Sequence, residues 1–376
     1  MKIKYVLPKL LSLWDAGPIR GKRKAVLLIG KPGIGKTTVA EEFAKKLAKK
    51  LGRTYVNYRN DIAEEIIANR DKYLPLIDFR LTEIEPTDIT GMLKEKNGYS
   101  RYIPFLWSIV ASTGPSVLLL DEFLNIQRLD VKSVSYKLVH DRKAGWTTFH
   151  PDTFIIATGN LPEESSVSGE LPPPLLDRFI KIEVDGANPD EWAKWMDKTF
   201  GDGWSKSVYA FLKRFETEHY INKTPSEPET LEQFPTQRSW TDLAVLESRG
   251  VVDDHLIKGL VGQEIGVRYS AWKRVKVDVN ELINHPEKWN DLNFDSKYMA
   301  TLMLASYIAK RMKKGKMGQV FPLIDVMARD SIEFVVITFT SIPKKKRISF
   351  AMKLFEYNRE YGDKLMEILE LKNSIL

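Results

Sequence analysis

The chain contains no cysteine. That excludes disulfides, thiolate zinc sites and cysteine nucleophiles. It has five histidines (His140, His150, His219, His255, His285), and none shows metal-ligand spacing. Each therefore reads as structural or exposed. No apolar run reaches the length needed to span a membrane. Met1–Trp14 is apolar in patches, but Pro8 and Lys9 interrupt it, so it does not read as a secretion signal. These absences give the expectation of a soluble cytoplasmic protein with no membrane insertion. There is no internal repeat. The net charge of +7 is spread along 376 residues, which permits contact with polyanions without requiring it. A chain of this length is expected to form two or three domains.

What the chain does contain is a phosphate-cradling loop, Gly30-Lys31-Pro32-Gly33-Ile34-Gly35-Lys36-Thr37. It fits G-x-x-x-x-G-K-[ST], a pattern in which glycines let backbone N–H groups turn toward phosphate oxygens. Lys36 can reach the β- and γ-phosphates, and the Thr37 hydroxyl can ligate Mg²⁺. The nucleotide-holding set is therefore Gly30, Pro32, Gly33, Ile34, Gly35, Lys36, Thr37 and Thr38. The bland alternative is a Gly/Pro turn before a helix. The flanks favour the loop: Ala25–Ile29 runs in as a buried strand would, and a helix with Val39, Phe43, Leu47 and Leu51 on one face runs out, stopping at Gly52.

Residues from about 20 to 183 read as an α/β unit with a parallel sheet. Buried strands are expected at Ala25–Ile29, Val117–Leu120 and Phe154–Ala157, and further strands at Tyr55–Tyr58 and Leu76–Leu81. A helix is expected over Ile62–Tyr73. From Asn188 the pattern becomes helical, with candidates at Pro189–Phe200, Lys206–Glu216, Thr236–Ser248 and Asp253–Val275 around a polar loop, Ile221–Phe234. Tyr298–Lys314 carries a wide apolar face, and Phe350–Leu371 reads as two helices separated near Gly362. The expected division is a nucleotide-binding α/β domain (1–183), an all-α lid (184–279) and a C-terminal helical region (280–376).

Two further constellations fall at strand ends, where open parallel sheets bind ligands. Val117-Leu118-Leu119-Leu120 ends in Asp121-Glu122. Asp121 suits Mg²⁺ through its water shell, and Glu122 suits activation of the attacking water. Ile155-Ile156-Ala157-Thr158-Gly159 ends in Asn160, whose amide can meet both a γ-phosphate and that water, unless Gly-Asn is only a turn. Arg178, in Leu175-Leu176-Asp177-Arg178-Phe179, could pair with Asp177 or cross an interface to a neighbour's γ-phosphate. Arg238, in Thr236-Gln237-Arg238-Ser239-Trp240, could touch the same nucleotide from the second domain or form a surface ion pair.

Together these residues resemble the AAA+ ATPases and, within them, the MoxR branch, over roughly residues 20–250. Asp78-Phe79-Arg80-Leu81 with Glu85-Pro86-Thr87-Asp88-Ile89-Thr90-Gly91 is similar to the segment after that branch's second strand. The most branch-specific run is Ala157-Thr158-Gly159-Asn160, then Gly169-Glu170-Leu171-Pro172, then Leu176-Asp177-Arg178-Phe179. The resemblance implies two inserted β-hairpins, near Met92–Tyr102 and Lys143–Pro151. It implies Asn160 as first sensor, Arg178 as arginine finger and Arg238 as second sensor. It also implies ATP with Mg²⁺, a homo-hexameric ring, and chaperone-like remodelling of a protein client, often with a von Willebrand A-type partner. Two features depart from the family pattern: Asp121-Glu122-Phe123-Leu124-Asn125 displaces the asparagine by one residue, and Tyr55–Leu76 looks like an insertion. Basic runs at Lys313–Lys316 and Lys344–Arg347 keep a second class open, a nucleic-acid motor or loader. No residue separates ATP from GTP.

Overall fold

Ala25–Ile29 (β1) is buried at every position, as a strand covered on both faces must be. It is the second strand of a six-stranded sheet. The others are Thr54–Asn57 (β2), Tyr73–Arg80 (β3), Val117–Asp121 (β6), Phe154–Gly159 (β9) and Phe179–Glu183 (β10). Their order is β10-β1-β9-β6-β3-β2, and every pairing is parallel. Successive side chains leave a strand on opposite faces, so each buried strand feeds two cores. Val26, Leu28, Leu119 and Ile156 pack beneath the helices Ile3–Asp15 and Lys36–Lys50. Leu27, Leu118, Leu120 and Ile155 face the opposite way, toward Trp107, Val110, Phe123 and Leu138.

The computed structural model describes residues 1–19, 21–160, 171–215, 233–311 and 318–368. They divide into two compact units, one running from Met1 to Ala187 and the other beginning at Asn188. Among the described residues no helix is long and apolar enough to cross a membrane.

Four expectations about elements change. The helix Ile62–Tyr73 is only Ala63–Ala68, because Tyr73 already begins β3. Pro75 hides that start. It lies within β3 opposite Val56, one residue before the pairing with β6 begins at Leu76. The edge strand β10 was not expected at all. Only Phe179 and Ile182 of Phe-Ile-Lys-Ile-Glu are buried, and Lys181 interrupts the apolar residues, whereas the buried strands are continuous apolar runs. Asp253–Val275 is two helices, Asp254–Val261 and Gln263–Lys273, broken where Gly262 takes φ +87°. The C-terminal break falls at Asn358, between Lys344–Tyr357 and Arg359–Ile368. Gly362 does a different job there: a Cβ on it would come within 2.5 Å of Phe355, so it permits close helix packing.

Two hairpins interrupt the sheet unit. Met92–Lys96 (β4) pairs antiparallel with Tyr99–Ile103 (β5), and Lys143–Ala144 (β7) with Thr147–Thr148 (β8). Gly145, in the second turn, lies against the backbone of Thr90, just ahead of the first hairpin.

The second unit is helical. Phe211, Trp240, Tyr269 and Trp272 form an aromatic core with centroid separations of 5.1–6.0 Å. Asp197, on the helix Pro189–Phe200, is buried and accepts hydrogen bonds from Trp204, Lys206 and Arg347. Lys213 is buried too and pairs with Asp190 (3.3 Å) and Glu333 (2.5 Å). Charged contacts thus tie residues before 215 to helices beyond 330.

Candidate nucleotide site

The loop after β1 bends through two left-handed glycines, Gly33 (φ +73°) and Gly35 (φ +94°). Gly35 caps the helix Lys36–Lys50, so the first N–H groups of that helix face the loop. Gly30 is required for another reason. A Cβ there would lie 2.4 Å from the Val184 carbonyl oxygen and 2.8 Å from Ile34 Cδ1. Lys36 is 8% exposed, and its ammonium donates to the carbonyls of Gly30 (2.7 Å) and Lys31 (2.8 Å) and to Asn160 Oδ1 (3.1 Å). The loop lysine and the end of β9 therefore meet, 124 residues apart in sequence.

Thr37 Oγ1 donates to both carboxylate oxygens of Asp121, at 3.3 and 3.1 Å. Thr158 Oγ1 donates to Asp121 Oδ1 from the neighbouring strand end. These are hard oxygen ligands beside a phosphate loop. Mg²⁺ takes one or two such protein oxygens together with phosphate oxygens and water. The donor set fits that ion, and the glycine-lined loop fits a polyphosphate.

Glu122 has φ +57° and ψ +31°, a left-handed conformation that costs a non-glycine residue roughly 1–2 kcal/mol. Its N–H donates to Asp121 Oδ1 (3.2 Å) and Thr158 Oγ1 (3.3 Å). Its carboxylate accepts from Thr82 Oγ1 at 2.8 Å. The backbone turn therefore sends Asp121 and Glu122 to different partners. Asn125, displaced by one residue from the family pattern, ends a short 3₁₀ turn with its Oδ1 buried and without a hydrogen-bond partner.

Arg178 is exposed on the turn before β10, and its Nη2 lies 3.2 Å from His140 Nε2. Arg238 belongs to the second unit, near the start of the helix Gln237–Ser248. There Thr236 caps the helix by accepting from Ser239 N–H, and burial pushes the Asp242 carboxyl up while Arg238 opposes that shift. Of the branch-specific run, Gly169 and Glu170 lie outside the described residues, as do 312–317, which hold the basic run Lys313–Lys316.

Three participants were missed at the sequence level. Thr158 and Thr82 carry ordinary hydroxyls, and only the strand order brings them to the acidic pair. A hydroxyl one residue before Gly159-Asn160 was the available signal for Thr158. Asp78 on β3 is the third. Its carboxyl is pushed up to about 6 by desolvation and by the negative charge of Asp121, with Arg80 opposing. A lone Asp inside an apolar strand was the visible hint.

Residues 25–179 match the family model for an AAA domain of the dynein-related subfamily. The mitochondrial Lon protease homolog of Schizosaccharomyces pombe is 27% identical over 199 residues, which covers 49% of this chain and 16% of that protein. The chain thus spans only a small part of that relative's length. Among solved structures, one single-site mutant of Thermotoga maritima RuvB aligns at 14% identity with a TM-score of 0.37, covering 93% of this chain and 88% of that one. A second RuvB mutant aligns at 17% identity with a TM-score of 0.33, covering 86% and 80%. With the phosphate loop and acidic strand end described above, the matched segment is an AAA+ domain, the P-loop fold of ATP hydrolases.

Proposed function

We propose that this chain hydrolyses ATP in a homo-hexameric ring, as in the MoxR branch, and uses the cycle to remodel a client protein. The observation that carries the ATPase reading is the convergence of Lys36, Thr37, Asp121 and Asn160 at the C-terminal ends of the interior strands β1, β6 and β9, with Glu122 beside them. In this reading residues 1–183 bind the nucleotide, 184–279 form the lid and 280–376 extend it.

The backbone N–H groups around Gly33 and Gly35, with Pro32, Ile34 and Thr38 shaping the loop, hold the phosphates. Lys36 exchanges its loop carbonyls for phosphate oxygens. Thr37 and Asp121 would hold Mg²⁺, which would supply charge neutralisation at the phosphates. Glu122 takes the proton from the attacking water, and Asn160 orients that water. Arg178 reaches the γ-phosphate of the neighbouring subunit, and Arg238 reports the nucleotide state to the lid. Tyr99, 78% exposed on the first hairpin, and Trp146, 82% exposed on the second, offer apolar surface to a client. A von Willebrand A-type partner belongs to the same proposal.

The nucleic-acid alternative drew on Lys344–Arg347, and that run has structural work. Arg347 is buried against Asp197 and donates to the Ile342 carbonyl at 2.8 Å, while Lys346 donates to Ala309 O at 2.5 Å. Those two cations are not displayed for a polyanion.

The test is a variant series. Lys36→Ala loses ATP binding. Glu122→Gln binds ATP but turns over at least about 100-fold more slowly, the lower range for loss of a general base. Arg178→Ala hydrolyses poorly with ATP bound, and mixing it with Glu122→Gln restores turnover through mixed interfaces. Normal turnover by Glu122→Gln removes Glu122 from the reaction. A client trapped by Glu122→Gln and released by the wild type identifies the remodelled protein.

A further inference from the structure

Arg178 and His140 form a contact whose chemistry fixes a protonation state. A guanidinium only donates hydrogen bonds. His140 Nε2, 3.2 Å from Arg178 Nη2, must therefore accept and carry no proton. The single imidazole proton then sits on Nδ1, which lies 2.8 Å from Asp141 Oδ1, an acceptor. Asp141, His140 and Arg178 thus form a directional chain: the carboxylate fixes the tautomer, and the tautomer presents a lone pair to the guanidinium.

The backbone on both sides is held. His140 is the last residue of the helix Leu129–His140, and Asp141 N–H caps that helix at Lys137 O. Arg178 N–H donates to Leu175 O at 3.0 Å, and Phe179 beyond it is buried. The charged groups around the imidazole are Asp141 and Arg178, with Lys137 on the same helix and Lys143 on β7 acting on Asp141. The hydrogen bond to His140 holds the Asp141 carboxyl below its ordinary range.

We propose that His140 is a positioning residue for Arg178: its neutral imidazole aims the guanidinium out of its own subunit, and protonation at Nε2 releases it. The inference rests on the reading of Arg178 as the group that acts across the interface. A protonated His140 would present a donor to a donor and a cation to a cation, so the contact cannot survive. Hydrolysis should then weaken on acidification.

The experiment measures ATP turnover of the assembled full-length chain from pH 8.5 to 5.5, for the wild type, His140→Gln, His140→Ala and Arg178→Ala. A glutamine offers an acceptor that does not titrate. His140→Ala should lower kcat at pH 8 by about threefold to tenfold with KM for ATP unchanged, the rate equivalent of one ordinary hydrogen bond. His140→Gln should keep near-wild-type kcat at pH 8 and lose less of it on acidification than the wild type. Parallel acid profiles for His140→Gln and wild type overturn the proposal. So does a His140→Ala variant with wild-type kcat at pH 8, or a His140→Gln variant no faster than His140→Ala. Normal turnover by Arg178→Ala is a separate failure, of the interface role itself. A slow Arg178→Ala beside unaffected His140 variants removes only the role given to His140.

Discussion

Glu122 faces away from Asp121 because its backbone is left-handed, and the two neighbouring carboxylates consequently serve different partners. Strain of this kind persists where surrounding contacts over-determine it, and here the Glu122 N–H is fixed by Asp121 and Thr158. Asp78 shows the cost of desolvating a carboxylate and setting it near another, Asp121. Its folded pKa of about 6 lies above the ordinary 3.8, so the folded state binds the proton more tightly than the unfolded chain. Stability from this group is therefore greatest below pH 3.8 and declines as pH rises through 6. Asp78→Asn should raise the melting temperature at pH 7.5, with the gain shrinking toward pH 4. Because Asp78 keeps an open rim to solvent, the gain is small. A melting difference that does not change with pH would refute this account of Asp78.

Among the elements, the hairpins depend on glycines at close approaches. Gly145 has φ +54°, and a Cβ there would lie 2.3 Å from the Thr90 carbonyl oxygen. Gly91, at φ +93°, would bring its Cβ within 2.5 Å of Ile103 O. The second hairpin is therefore seated on the segment that leads into the first. Gly145→Ala should cost about 1–3 kcal/mol of local stability through backbone strain and clash. Amide hydrogen exchange over 143–148 should speed up while ATP binding is retained. Unchanged protection there would show that the seat on Thr90 does not anchor the hairpin.

In the whole molecule, buried charge joins distant parts of the second unit. Burial alone would raise the Asp197 carboxyl, but Arg347 and Lys206 outweigh it and hold the group below its ordinary range. Lys206 is itself pushed down to about 8 by burial despite Asp197. Asp197→Asn leaves two cations uncompensated in the interior and should destabilise the second unit by about 3–5 kcal/mol. Urea unfolding followed by tryptophan fluorescence reads this out, since Trp204 donates to Asp197 at 3.0 Å. An unshifted unfolding midpoint would show that the cluster contributes nothing to holding residue 197 to residue 347.

The sequence by itself determined the loop from Gly30 to Thr37, the strand that feeds it and the acidic and amide ends of β6 and β9. Each is a local signal, an apolar run followed by particular polar residues, and needs no partner to be read. Only the tertiary structure decided which ends are neighbours. Strand order set Thr158 against Asp121 and Thr82 against Glu122, and β10 was invisible because an edge strand interrupted by Lys181 lacks a continuous apolar run. The contacts of Arg178 with His140, 38 residues away, and of Arg347 with Asp197, 150 away, have no periodicity to betray them. Pairing between distant side chains is settled by packing geometry, which no window of sequence contains.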